Sequence, residues 1–153
     1  MTGVQTCALP ISGNFVTVDE QREFERLLQT PKHATSVEYL GFVSDEKKRQ
    51  ALFDADLFCF PTQYIGENQP VNLIEAMAFG LPTVTTRWRS LPEMFPPDYP
   101  GLVSSQSPQE ITDALLALME LRTAELLREN FLNQFNIERH LVSLAEAIRG
   151  AEA

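Results

Sequence analysis

Cysteine, histidine and basic residues are all scarce in this 153-residue chain: it has two Cys, two His, and 12 Lys plus Arg against 21 Asp plus Glu. Two cysteines, Cys7 and Cys59, cannot build the framework of a disulfide-stapled fold. His33 and His140 are isolated, without the several converging ligands a zinc site needs, so no metal is expected. The formal charge of −9 runs opposite to that of a nucleic-acid binder or a reader of anionic membranes. No apolar run approaches the roughly 18 residues of a membrane span. What the chain does have is 44% hydrophobic residues and a length suited to one domain, so a buried core is expected and disorder is not.

Residues Met1 to Ile11 read MTGVQTCALPI. No Lys or Arg precedes the apolar part and no long apolar core follows, which speaks against a secretory signal. Cys7 also has too few residues ahead of it for a lipoprotein cysteine. TGVQTCALPI is instead what a common sequencing-library adapter gives when translated. Residues 1–11 are therefore expected to be an assembly artefact, with the natural sequence starting near Ser12 or Gly13 and the gene cut on its 5′ side. Cys59 then remains alone within Leu57-Phe58-Cys59-Phe60, where a lone thiol is expected to be a small core residue.

The remainder alternates helices and short apolar strands. Helices are expected over Asp19–Gln29, from an N-cap at Ser44 to Leu52 and Phe53, and over Pro70–Phe79, with Gly80 as stop. Three more are expected over Pro108–Glu120, Arg122–Phe135 and Ile137–Arg149. Strands are expected at Ser36–Leu40, Asp56–Phe60, Thr83–Thr86 and, weakly, Gly101–Ser104. This order predicts an α/β fold, a Rossmann-like parallel sheet flanked by helices. Such sheets bind ligands in the loops beyond the carboxyl ends of their strands.

One loop of that kind stands out. Between Phe60 and Pro70 lie nine residues, Pro61 to Gln69, where about 2–6 are usual. The helix that follows opens with Pro70, so its first-turn N–H groups and positive dipole end point into the loop, which makes an anion site. That helix is apolar nearly all round (Val71, Leu73, Ile74, Ala76, Met77, Ala78, Phe79), which predicts burial on most faces, with Glu75 in its middle. A carboxylate there must be paired, protonated or facing a polar cavity. The spacing alone leaves a structural Glu and a ligand-binding Glu equally open.

Glu67-Asn68-Gln69-Pro70-Val71-Asn72-Leu73-Ile74-Glu75 is Glu, seven residues, Glu, and Ala76-Met77-Ala78-Phe79-Gly80-Leu81-Pro82 follows it. Together these resemble the signature of the group 1 (GT4-like) retaining glycosyltransferases. Val37 to Ser44 resembles the family's strand-plus-glycine segment beside the nucleoside, Ala55 to Thr62 the strand leading into the signature, and Leu91-Pro92-Glu93 the Pro-Glu pair after the next strand. The resemblance covers roughly Gly13 to Glu120. It implies the C-terminal, donor-binding half of a GT-B fold, with strand order 3-2-1-4-5-6 of which strand 1, most of strand 2 and the N-terminal domain lie outside this chain.

The resemblance also implies roles. Glu75 would bind the donor ribose, and Glu67, as the catalytic-site residue, a hydroxyl of the transferred sugar. The backbone of Asn68, Gln69, Pro70 and Val71 would meet sugar and diphosphate, and Phe42 and Val43 the nucleoside. Carboxylates suit these tasks because they accept strongly from hydroxyls. The family has Gly-Phe-Gly or Gly-Gln-Pro where this chain has Asn68-Gln69-Pro70, and Gly-Gly where it has Arg89-Ser90. Arg87 and Arg89 either contact the diphosphate or an acidic acceptor or belong to a solvated turn.

The implied parent enzyme is a hexosyltransferase-like, metal-independent, cytoplasmic transferase, with peripheral membrane contact open. It would take a nucleotide-sugar donor and an acceptor that the residues do not name, and it would need no cofactor. The Arg and Lys that neutralise the diphosphate in this family would precede Gly13, so the fragment by itself is expected to be marginally stable and inactive. A noncatalytic nucleotide-binding module and a GT-B sugar-nucleotide epimerase are the alternatives.

Overall fold

The computed structural model describes residues 9–30, 34, 36–104, 107–121 and 124–151. Cys7, His33 and Arg122 lie outside the described residues. The chain divides into two units, Met1–Ala51 and Leu52–Ala153.

In the first unit, β1 (Leu9–Ser12) and β2 (Val37–Gly41) pair in parallel, Leu9 opposite Val37 and Ile11 opposite Tyr39. Between them runs α1 (Val18–Leu28), which starts one residue ahead of expectation because Thr17 and Glu20 form a capping box. The Glu20 N–H donates to Thr17 Oγ1 at 3.2 Å and the Thr17 N–H to Glu20 Oε2 at 3.0 Å. Phe24 meets Phe15 and Tyr39 with ring centroids 5.2 Å apart in each pair, and the Tyr39 hydroxyl donates to the Gly13 carbonyl at 2.7 Å. α2 (Asp45–Asp54) follows. Leu52 is buried as expected, but Phe53 is 73% exposed, so only one of the two apolar positions near the helix end serves a core.

The second unit carries β3 (Phe58–Phe60), α3 (Val71–Ala78), β4 (Thr83–Thr86), a single 3₁₀ turn (Leu91–Met94), β5 (Leu102–Val103), α4 (Pro108–Glu120), α5 (Ala124–Gln134) and α6 (Ile137–Ala151). Its strands form a parallel sheet in the order β3-β4-β5. The two ladders keep the neighbours that the expected order gives to these strands. β3 starts at Phe58 rather than Asp56, because the ladder begins where the Phe58 N–H reaches the Pro82 carbonyl at 2.9 Å. Pro82 has no N–H to extend it.

β4 is the central strand, and Thr83, Val84, Thr85 and Thr86 are all buried. β-branched residues suit such a strand, but three buried hydroxyls each need an acceptor. They find carbonyls: Thr83 donates to Leu81 at 2.8 Å, Thr85 to Phe60 at 2.7 Å and Thr86 to Thr62 at 2.5 Å. Around the strand pack Leu73 and Met77 of α3, Leu91, Met94, Phe95, Tyr99, Leu102, Val103, Ala114, Leu118 and Leu127. Cys59 lies half-buried against the same core, which pushes its thiol pKa up and agrees with its reading as a core residue.

α3 is less enclosed than its composition suggested. Leu73, Ala76 and Met77 are buried, whereas Val71 is 63% exposed and Phe79 is also exposed. It ends as expected at Gly80, whose φ of 71° suits glycine and whose N–H reaches the Met77 carbonyl at 2.9 Å. Arg128 of α5 donates to the Ala78 carbonyl in the last turn of α3. The buried Asn130 of α5 donates to the Met94 carbonyl at 2.8 Å, tying α5 to the 3₁₀ turn. Among the described residues no helix is long and apolar enough to cross a membrane.

The β5 side of β4 is closed at close quarters. The N–H groups of Thr83, Thr85 and Arg87 donate in turn to the Tyr99 hydroxyl (2.8 Å), the Gly101 carbonyl (2.9 Å) and the Val103 carbonyl (2.7 Å). A Cβ at Gly101 would stand 2.0 Å from the Thr83 carbonyl oxygen. Gly101→Ala is therefore expected to cost at least about 2 kcal/mol, and Tyr99→Phe about 1–3 kcal/mol for the buried N–H it leaves unpaired. Urea unfolding of each variant checks both, and an unchanged midpoint for Gly101→Ala would mean that the two strands can separate at little cost.

Candidate functional site

The candidate site is the loop from Pro61 to Gln69 with the start of α3. β3 delivers the loop at its carboxyl end, and Pro70 ends it as the N-cap of α3, with φ −66° and ψ 126°. The helix therefore starts at Val71, one residue later than expected, with Pro70 as its cap rather than its first helical residue. Its carbonyl accepts from Leu73 at 3.1 Å and Ile74 at 3.4 Å, and no side chain caps this end. The first-turn N–H groups of α3 precede the first intrahelical bonds and carry the positive end of the helix dipole.

Nine residues without regular structure need fixing to hold one shape. Locally, the Thr62 N–H meets the Phe60 carbonyl at 2.9 Å, and the Glu67 N–H the Tyr64 carbonyl at 3.0 Å. More restraint comes from across the sheet. Thr85 and Thr86 hold the Phe60 and Thr62 carbonyls, the Trp88 indole N–H donates to the Tyr64 carbonyl at 2.8 Å, and the Ser90 hydroxyl donates to the Asn68 carbonyl at 2.7 Å. Four side chains of β4 and the turn after it thus hold four carbonyls along the loop.

Of the residues singled out in the sequence, Glu67 is half-buried in the loop and Asn68 and Gln69 are exposed beside it. Val71 is exposed at the helix start, and Glu75 is half-buried one turn further on. Asn68 and Gln69 line a cleft of about 290 Å³ together with Ser90, Glu93, Gln134 and Phe135. Glu67 and Glu75 do not line it. Phe42 and Val43 follow β2 in the first unit, Phe42 exposed and Val43 half-buried. His140 is exposed on α6.

Arg87 and Arg89 are both exposed. Arg89 has a φ of 49°, in the left-handed region where the family's glycine would sit without strain. Arg87 is placed by its own N–H on the Val103 carbonyl. Its charge is the smallest of several influences that hold the Glu110 carboxyl below the usual range. The largest is the Ser104 backbone N–H, which donates to Glu110 Oε2 at 2.8 Å; the Ser104 and Ser107 side chains add to it.

The loop-holding residues went unread in the sequence. The run Thr83-Val84-Thr85-Thr86 indicates a strand, but a strand buried on both faces with three hydroxyls also implies acceptors outside the ladder. That requirement was the available signal for Thr85 and Thr86. Nothing local marked Ser90, Gln134 or Phe135.

Comparison with known proteins agrees with this architecture. The model of the family "Glycosyl transferases group 1" matches residues 6–121. The chain belongs to this family. An Escherichia coli K12 protein, provisionally named colanic acid biosynthesis glycosyltransferase WcaL, is 33% identical over 142 residues, covering 84% of this chain and 35% of that protein. The phosphatidyl-myo-inositol mannosyltransferase of Mycobacterium leprae is 32% identical over 114 residues, covering 74% of this chain and 27% of that protein. Among solved structures, Anabaena HepE in complex with UDP-glucose superposes with a TM-score of 0.76 at 19% identity, over 94% of this chain and 41% of HepE. This group 1 chain thus has the fold of half a GT-B glycosyltransferase, and it spans about a third of the length of the curated relatives it matches.

The bonds to Glu110 make a prediction with a definite sign. A carboxyl whose folded pKa is depressed contributes stability above its unfolded pKa and loses that contribution as pH falls through the folded value. Glu110 should titrate below the usual glutamate range in an NMR pH series, and Arg87→Gln should raise its pKa by only a small part of the shift. A larger response to Arg87→Gln would mean that the Arg87 charge, rather than Ser104, dominates.

Proposed function

We propose that this chain is the donor-binding part of a retaining glycosyltransferase that moves a hexosyl group from a nucleotide-diphosphate sugar to an acceptor without a metal. The observation that carries the reading is the loop Glu67–Gln69, held at the Asn68 carbonyl by Ser90 in the turn after β4 and feeding the N-terminus of α3, which no side chain caps. An anionic diphosphate is the ligand such a helix start favours. UDP-glucose in the HepE complex and the transferase names of the relatives support the same reading.

On this reading Glu75 accepts from the donor ribose hydroxyls, and Glu67 from a hydroxyl of the transferred sugar. Phe42 and Val43 lie against the nucleoside. When the bond between the anomeric carbon and the diphosphate oxygen breaks, negative charge grows on the diphosphate. The amides of Gln69 and Val71 and the dipole of α3 stabilise that charge in place, because they need no reorganisation as it develops. Arg87 and Arg89 add positive charge at the same end of the sheet.

The parent protein would be cytoplasmic, with room for peripheral membrane contact, and would supply the acceptor site and further cationic residues upstream. Residues 1–11 retain their reading as translated adapter, although Leu9 to Ile11 pair with β2 and the family match opens at residue 6. Sequencing the genomic DNA ahead of Ser12 decides their origin, and a natural TGVQTCALPI codon run there would end that part of the reading.

Calorimetry of the chain and of its restored full-length parent against UDP-, GDP- and ADP-sugars tests the function. Glu75→Ala should weaken donor binding about 10- to 100-fold, the worth of hydrogen bonds to a charged acceptor. Glu67→Gln should reduce turnover of the parent more than it weakens ground-state binding. Equal affinity and turnover in wild type and Glu75→Ala would remove the ribose role.

A further inference from the structure

We infer that Ser90 is a positioning residue of the donor site: its hydroxyl fixes the Asn68–Gln69 peptide so that the Gln69 N–H faces the donor diphosphate. The inference rests on the donor-binding reading for the identity of the ligand, but the fixing of the peptide stands on geometry alone.

Of the four carbonyls held from β4 and the turn after it, that of Asn68 is nearest α3 along the chain. The chain contains no cis peptide bonds among the described residues. In a planar trans peptide the C=O and N–H point in opposite directions. Holding the Asn68 carbonyl on Ser90 therefore turns the Gln69 N–H away from Ser90. This orientation matters more here than in a loop with a full set of donors, because Pro70 has no N–H. Gln69 is thus the last amide donor of the loop before Val71 opens the helix.

The position of Ser90 is itself built. Residues Trp88 to Leu91 form a tight turn closed by the Leu91 N–H on the Trp88 carbonyl at 3.0 Å. Arg89, the second residue of the turn, takes the left-handed conformation that non-glycine residues rarely adopt. The residues on either side of it, Trp88 and Ser90, both donate to the loop, to Tyr64 and to Asn68. Leu91 behind them is fully buried, so the turn is anchored in the core. A glycine at position 90 would supply the turn without supplying the hydroxyl.

The test uses Ser90→Ala and the conservative Ser90→Thr in the 153-residue chain. The carbonyl ¹³C resonance of Asn68 should move in Ser90→Ala and return toward its wild-type position in Ser90→Thr. The indole N–H resonance of Trp88, the single tryptophan, reports whether the rest of the turn has held. Affinity for UDP should fall about three- to tenfold in Ser90→Ala, the worth of one hydrogen bond, and recover in Ser90→Thr. An unmoved Asn68 carbonyl with an unmoved Trp88 indole overturns the inference, as does unchanged UDP affinity in a Ser90→Ala chain whose Asn68 carbonyl has moved. If the wild-type chain and its full-length parent bind no nucleotide at all, the donor reading fails and the diphosphate part falls with it. The carbonyl shift then still decides whether Ser90 holds the peptide.

Discussion

The hydroxyl groups of a buried strand set the shape of the site. β4 lies between two parallel neighbours, so its backbone is committed to the ladders on both sides. Its threonine side chains are left with one productive choice, which is to donate to whatever carbonyls pass nearby. Two of those carbonyls, at Phe60 and Thr62, belong to the point where β3 turns into the long loop. An unsatisfied buried hydroxyl costs about 1–3 kcal/mol, so loop and strand are held together by a penalty on separation as much as by the bonds themselves. Valine at either position would fill much the same space and lose that link.

This division of labour explains how irregular backbone can sit at the edge of a rigid core. The loop contributes exposed groups at Asn68 and Gln69, while its attachments come from residues that are buried or half-buried. α5 plays a similar part from another direction: Arg128 takes a carbonyl at the end of α3, and Asn130 one in the 3₁₀ turn behind Ser90. Elements on either side of the candidate site are thus tied by side-chain donors to backbone acceptors. Such bonds hold the loop through its backbone and leave the side chains of Asn68 and Gln69 exposed.

Much of the architecture was legible in the residues. Gly80 as a helix stop, Pro70 at a helix start and the β-branched run Thr83–Thr86 each act through local stereochemistry, and local stereochemistry is visible in sequence. The Glu67-to-Glu75 signature placed the candidate site because it lies in one contiguous segment. Phe53 and Val71 were misjudged for a common reason: an apolar residue on a helix reveals which face it prefers, but not whether that face finds a neighbour. Ser90 and Trp88 escaped because their partners lie more than twenty residues away in sequence and are carbonyls, which every residue carries. An acceptor that is universal leaves no mark on composition.

The hydroxyl of Tyr99 has one further effect. It stands in line with the Gly101 and Val103 carbonyls and takes the N–H that a longer β5 would have taken. One side chain therefore does the work of a backbone strand, and β5 can stop at two residues. A two-residue edge offers an incoming chain almost no template for strand addition, which is how natural sheets avoid sticking edge to edge. If molecules of this chain associate through their sheets, β5 is the edge with the least to offer, because the aromatic ring has replaced the strand that a partner would have copied.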